Sequence, residues 1–133
     1  MRIAYVNTDE VNQDLAERTA SEYCAAVCIL VPEGPPPEGL FDAVLYNLDE
    51  VPRDQRSALL ERLRQATPHR PTAVHGYDIT DEQARTLRRH GVAVAQRLHP
   101  ALLRSLCKAA LRSHATVPSD GALTDLTWVN LAK

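Results

Sequence analysis

The chain has 133 residues and a mass of 14.7 kDa, with 44% hydrophobic and 24% charged residues, a formal net charge of −2 and a pI near 6.2. That length suits one domain with a proper core, and a charge so close to neutral gives no electrostatic footprint for nucleic acid or an anionic membrane. No apolar run approaches the roughly 20 residues of a membrane span, Met1-Arg2-Ile3 does not open a signal peptide, and three cysteines, an odd count, read as reduced thiols, so a cytoplasmic protein is expected.

Arg2 to Val6 is apolar and opens the chain as a strand. Asn12 to Tyr23 places Leu15, Ala16, Thr19 and Tyr23 at helical spacing. Ala26 to Val31 is a continuous apolar run and predicts a second strand, and Asp42 to Asn47 a third. Between them, Pro32-Glu-Gly-Pro-Pro-Pro-Glu-Gly-Leu40 cannot form a helix interior, so an extended polyproline-like link is expected, able to span ~28 Å at ~3.1 Å per residue. Arg53 to Ala66 sets Leu59, Leu60, Leu63 and Ala66 on one face and arginines on the other, an amphipathic helix. Thr72 to His75 is a short fourth strand. Thr80-Asp-Glu-Gln83 is a capping box that starts a further helix, which Gly91 ends. Val92 to Ala95 is the fifth strand, and Pro100 to Arg112 the last helix, with proline in the first turn where its missing N–H costs nothing.

Strands apolar on both faces belong in a parallel sheet covered by helices on both sides. The order predicts a doubly wound, flavodoxin-like α/β fold with strand order 2-1-3-4-5 and right-handed crossovers. Residues 1–113 form the expected domain and 114–133 a tail. That tail carries Leu123, Leu126, Trp128, Val129 and Leu131, which purely disordered tails lack. Either it packs on its own domain or it docks on a partner.

Four strand ends carry a resemblance. Arg2-Ile-Ala-Tyr-Val-Asn-Thr-Asp9, Phe41-Asp-Ala-Val-Leu-Tyr-Asn47, Pro71-Thr-Ala-Val-His-Gly76 and Gly91-Val-Ala-Val-Ala-Gln-Arg-Leu-His-Pro100 are spaced as in the response-regulator receiver (CheY-like) domain, which residues 1–112 resemble. In that family the first strand runs into an acidic pair that holds Mg²⁺, the third ends on a phosphoryl-accepting aspartate, the fourth on a hydroxyl residue and the fifth on Lys-Pro. Here the acidic pair falls on Asn7 and Thr8, the acceptor on Asn47, the hydroxyl on Gly76 and the lysine on His99. An amide offers no anionic lone pair to attack phosphorus, and Mg²⁺ wants carboxylate oxygens. Of the acids only Asp9 remains nearby, with helix capping as its simpler role. The site thus reads as stripped of its charge, a pseudo-receiver without phosphoryl input. The resemblance leaves open whether the His99–Pro100 bond is cis.

Other chemistry finds little support. Cys24 and Cys28 do not form CxxC, no zinc-like spacing occurs, Cys28 reads as a small core residue of the second strand and Cys107 falls in the last helix. There is no GxGxxG, P-loop or GxSxG. No catalytic residue, metal or cofactor is assigned. His75 and His99 sit at strand C-terminal ends, where α/β folds place ligands, and with Asp9 and Tyr77 they form a candidate pocket, either histidine being a possible general base. Arg85, Arg88, Arg89 and His90, followed by Arg97, Arg104 and Lys108, form a basic run. It is either a solvated face or, as the resemblance implies, part of the surface built from the family's fourth and fifth helices and the strand between them, through which receivers meet effectors or dimerise. The expected function is a phosphorylation-independent signalling and protein-interaction module, not an enzyme, contacting an acidic protein partner or a second subunit. Its candidate contacts are that basic face and Trp128. The alternative is a small-molecule sensor or residual enzyme using the pocket near Asp9, His75 and His99.

Overall fold

The computed structural model describes residues 1–33, 41–65 and 70–116. The proline-rich segment at 34–40 and the tail from 117 onward, Trp128 included, lie outside these residues. The elements are β1 (Arg2–Val6), α1 (Glu10–Ser21), β2 (Ala26–Leu30), β3 (Ala43–Asn47), a single 3-10 turn (Leu48–Glu50), α2 (Arg53–Gln65), β4 (Thr72–His75), α3 (Asp81–Arg89), β5 (Val92–Ala95) and α4 (Pro100–Thr116). The sheet is wholly parallel, in the order β2-β1-β3-β4-β5, which is the predicted doubly wound topology.

Strand parity builds the core. Ile3, Tyr5, Ala43, Leu45 and Ala73 face one side and pack with Ala16 and Ala20 of α1 and Leu102, Leu103, Leu106, Cys107 and Ala110 of α4. Ala4, Val6, Val44, Tyr46 and Val74 face the other and meet Leu59 of α2 and Leu87 of α3. The period-2 alternation of the strands thus feeds two separate apolar layers. β2 is an edge strand, so Cys28 is half-buried and not a core residue as expected. It accepts a 3.6 Å hydrogen bond from Arg2, whose guanidinium also lies 5.1 Å from the Phe41 ring centroid.

The helix ends follow local chemistry. Asp9 accepts from the Val11 and Asn12 amides, so α1 begins two residues before the predicted Asn12. It ends at Ser21, short of the predicted Tyr23, because Cys24 turns the chain at φ 55°. Thr80 and Gln83 form the predicted capping box, both hydrogen bonds present, and Gly91, at φ 84°, makes the left-handed turn into β5. α4 runs to Thr116, four residues past the predicted Arg112, since no glycine or proline interrupts it before Pro118. The His99–Pro100 bond is trans. Among the described residues no helix is long and apolar enough to cross a membrane.

Candidate functional site

The C-terminal ends of β1, β3 and β4 converge, as parallel α/β topology requires. Two buried amides meet there. Asn47 Nδ2 donates to Asn7 Oδ1 at 2.9 Å, and Asn7 Nδ2 donates to the Asp9 carbonyl at 2.8 Å. Asn47 Oδ1 in turn accepts the Asp49 amide at 3.1 Å and caps the 3-10 turn. Asn7 is wholly buried and Asn47 nearly so, and each uses both ends of its amide, which removes the cost of an orphaned polar group. A carboxylate at either position would present oxygen to oxygen.

The 3-10 turn corrects the reading of an uncharged site. It brings back Asp49 and Glu50, so Asp9 is not the one acid at the strand ends. Glu50 accepts the Thr8 amide and, at 2.8 Å, the Thr8 hydroxyl. Asp49 accepts the Tyr77 amide at 3.0 Å. The turn also explains Gly76. A Cβ there would stand 3.1 Å from Leu48 Cβ and 3.4 Å from both Asp49 Oδ1 and Ile79 Cγ1, so the space a switch side chain would occupy is filled. Behind the turn, Arg56 donates to the Leu48 carbonyl and to Asp78, both at 2.6 Å, and holds the Asp78 carboxyl below its usual range. Arg56 Nε is, among the described residues, a buried nitrogen without a partner.

One layer below, Tyr5 Oη and His75 Nε2 share a buried hydrogen bond of 2.7 Å, with the rings edge to face. Burial pushes the His75 imidazole down to about 4, against the opposing pull of Asp49 and Asp9. Burial likewise raises the Tyr5 phenol far above its usual value, with Glu50 and Asp9 adding to the rise. His75 is therefore neutral at pH 7 and half of a structural pair, which leaves it a weak base.

A cleft of about 300 Å³ opens over these groups, lined by Asp9, Asn47, Asp49, Glu50, His75, Tyr77 and Arg97 among others. Three of the four predicted pocket residues, Asp9, His75 and Tyr77, are brought together there. His99 is not: its Nδ1 accepts the Leu102 amide at 3.3 Å and its carbonyl accepts the same amide at 3.1 Å, so it caps α4. Among the described residues no three His, Cys, Asp or Glu side chains converge as a metal-ligating group. The residues present do not fit the Mg²⁺ of the receiver pattern. Asn7 and Asn47 are amides bonded to each other, Thr8 is held by Glu50, and Asp9 is spent on the helix cap.

The basic run divides. Arg88 Nη2 donates to the Val94 carbonyl at 3.1 Å on the outer edge of β5. Arg104 forms a bidentate pair with Glu22, the residue that follows α1, at 3.1 and 3.2 Å, which lowers the Glu22 carboxyl. Arg85, Arg89, Arg97 and Lys108 are exposed. Sequence reasoning missed Tyr5, Asp49, Glu50 and Arg56. Strand parity was a signal for the first, since residues 5 and 75 face the same layer. The others depend on a three-residue turn with no sequence signature.

With this geometry in hand, similar folds can be named. A response regulator receiver protein from Pseudoalteromonas atlantica superposes with a TM-score of 0.64 at 15% identity, covering 86% of this chain and 99% of that one. A CheY-like receiver domain from Methanospirillum hungatei gives 0.61 at 16% identity, covering 86% and 96%. The receiver domain of a Pseudomonas aeruginosa sensor histidine kinase, which has a magnesium ion coordinated in its active site cleft, gives 0.51 at 17% identity, covering 82% and 96%. These likenesses show that the chain has the receiver fold. No protein-family profile and no curated protein matches it.

Proposed function

We propose that the chain is a non-catalytic, phosphorylation-independent signalling module that keeps the receiver scaffold and works through protein contacts in the cytoplasm. The observation that carries this reading is the Asn47–Asn7 amide pair, which fills the acceptor position with a saturated hydrogen-bond network. Thr8 bound to Glu50 and the packed Gly76 support it. The contact surface is the α3–β5–α4 face, with Arg85, Arg89 and Lys108 exposed as cationic handles for an acidic protein or a second copy. The partner's acidic surface would speed association and make it salt-dependent. Arg88 and Arg104 do not serve as handles, since internal acceptors hold them.

The test is to titrate Mg²⁺ with beryllofluoride while following amide resonances. No saturable shift at Asn47 and Asn7 is expected, and saturable shifts centred there would overturn the reading. The cleft beneath Tyr77 favours a second reading, a small-molecule sensor. A small polar ligand would meet Arg97 there, an exposed cation on the rim of the cleft. A metabolite-library thermal shift that vanishes in Arg97→Ala would support it.

A further inference from the structure

At the end of the sheet opposite the cleft, a groove of about 560 Å³ runs between the start of β5 and the second half of α4. Its floor is made by Pro71, Gly91, Ala93, Leu106 and Ala109, whose small side chains leave a trough along the edge of the sheet that Thr72, Ser105 and Arg112 border with polar groups. Ser113 lies at its mouth, and Leu111 on the same turn of helix is 48% exposed. We propose that this groove is the seat of the chain's own C-terminal segment, residues 117–133, with Trp128 as the anchor.

Chain geometry carries the proposal. The segment leaves α4 at the groove's mouth, within one turn of Ser113. Pro118 and Gly121 supply the stop and turn chemistry a reversal needs. The stretch of α4 from Ser105 to Ser113 is about 12 Å long, whereas twelve residues of extended chain span up to about 40 Å. Trp128 therefore reaches any point of the groove. The segment offers Leu123, Leu126, Trp128, Val129 and Leu131, and an aromatic of that size buries about 150–250 Å². Its two acids, Asp120 and Asp125, suit a groove whose wall carries Arg112. Tethering makes the docking intramolecular, so a modest surface suffices. The inference does not depend on the function proposed above.

Trp128 is the sole tryptophan of the chain, which gives a direct readout on the intact protein. Its emission is expected to be blue-shifted, and its quenching by iodide several-fold weaker than in the denatured chain. Ser105 is exposed and Ala109 half-buried, so Ser105→Arg and Ala109→Glu are expected to block the groove and return Trp128 to the denatured-like emission, with cooperative melting retained. Val11→Glu, at the other end, is expected to change nothing. Three outcomes overturn the proposal: a Trp128 as quenchable in the native as in the denatured protein, a buried Trp128 indifferent to both groove substitutions, or burial that disappears on dilution, which assigns the groove to a second copy's tail.

Discussion

The strand-end cluster and the α3–β5–α4 face lie side by side, yet they treat their polar groups in opposite ways. In the cluster, Asn7, Asn47, Thr8 and His75 all bond to neighbouring protein atoms. On the face, Arg85, Arg89 and Lys108 point to water. A polar group already satisfied by its own protein is stabilising and closed to ligands, whereas a solvated one contributes little to the fold and is free to meet a partner. The groups left to water, not those bonded inside the strand-end cluster, are the ones a substitution can change without disturbing the fold.

Substitutions can break that contrast. The largest effect is expected from Asn47→Asp, which sets a buried anion against Asn7 Oδ1 and removes the donor between β3 and β1. A loss of about 3–5 kcal/mol is expected in urea unfolding, with no phosphorylation gained from a small phosphodonor. Acid comes next. His75 binds its proton at about 4 when folded but near 6.5 when unfolded, so the unfolded state takes up more protons between these values. Stability is full above pH 6.5, falls as pH drops towards 4 and loses about 3 kcal/mol there. His75→Gln should flatten this stretch of the stability curve. Gly76→Ser, which forces a Cβ against Leu48, is expected to cost about 1–2 kcal/mol, measurable as a lower melting temperature. Arg88→Ala removes one hydrogen bond to a carbonyl, about 0.5–1 kcal/mol. The smallest effect on folding, within about 0.5 kcal/mol, is expected for Arg85→Ala and Arg89→Ala. Those two should instead slow association with an acidic partner in stopped-flow measurements, most clearly at low salt.

Much of this was legible from sequence because the fold is encoded locally. Apolar strands with period-2 parity, a Thr80/Gln83 capping box and a glycine after α3 each specify one element, and short connections leave little choice of topology. Residues 7, 47 and 76 could be placed at strand ends from the sequence because the strands themselves could be. What the site has become was not legible. Its outcome turns on Leu48–Glu50, three residues that fold over Gly76 with Asn47 capping them and Arg56 gripping the Leu48 carbonyl. His99 was misassigned to the pocket for a related reason: a capping residue and a pocket residue look alike until the direction of the side chain is known.

Arg88 carries one more consequence. β5 is the sheet's last strand, and a bare last strand is a template onto which another chain's backbone can grow. The Val94 carbonyl faces outward, because its neighbour Ala95 bonds inward to Gly76, and the guanidinium covers it. The charge that reads from sequence as a recognition handle thus occupies one outward-facing acceptor of the edge strand, so that the next chain's backbone cannot use it without displacing the guanidinium.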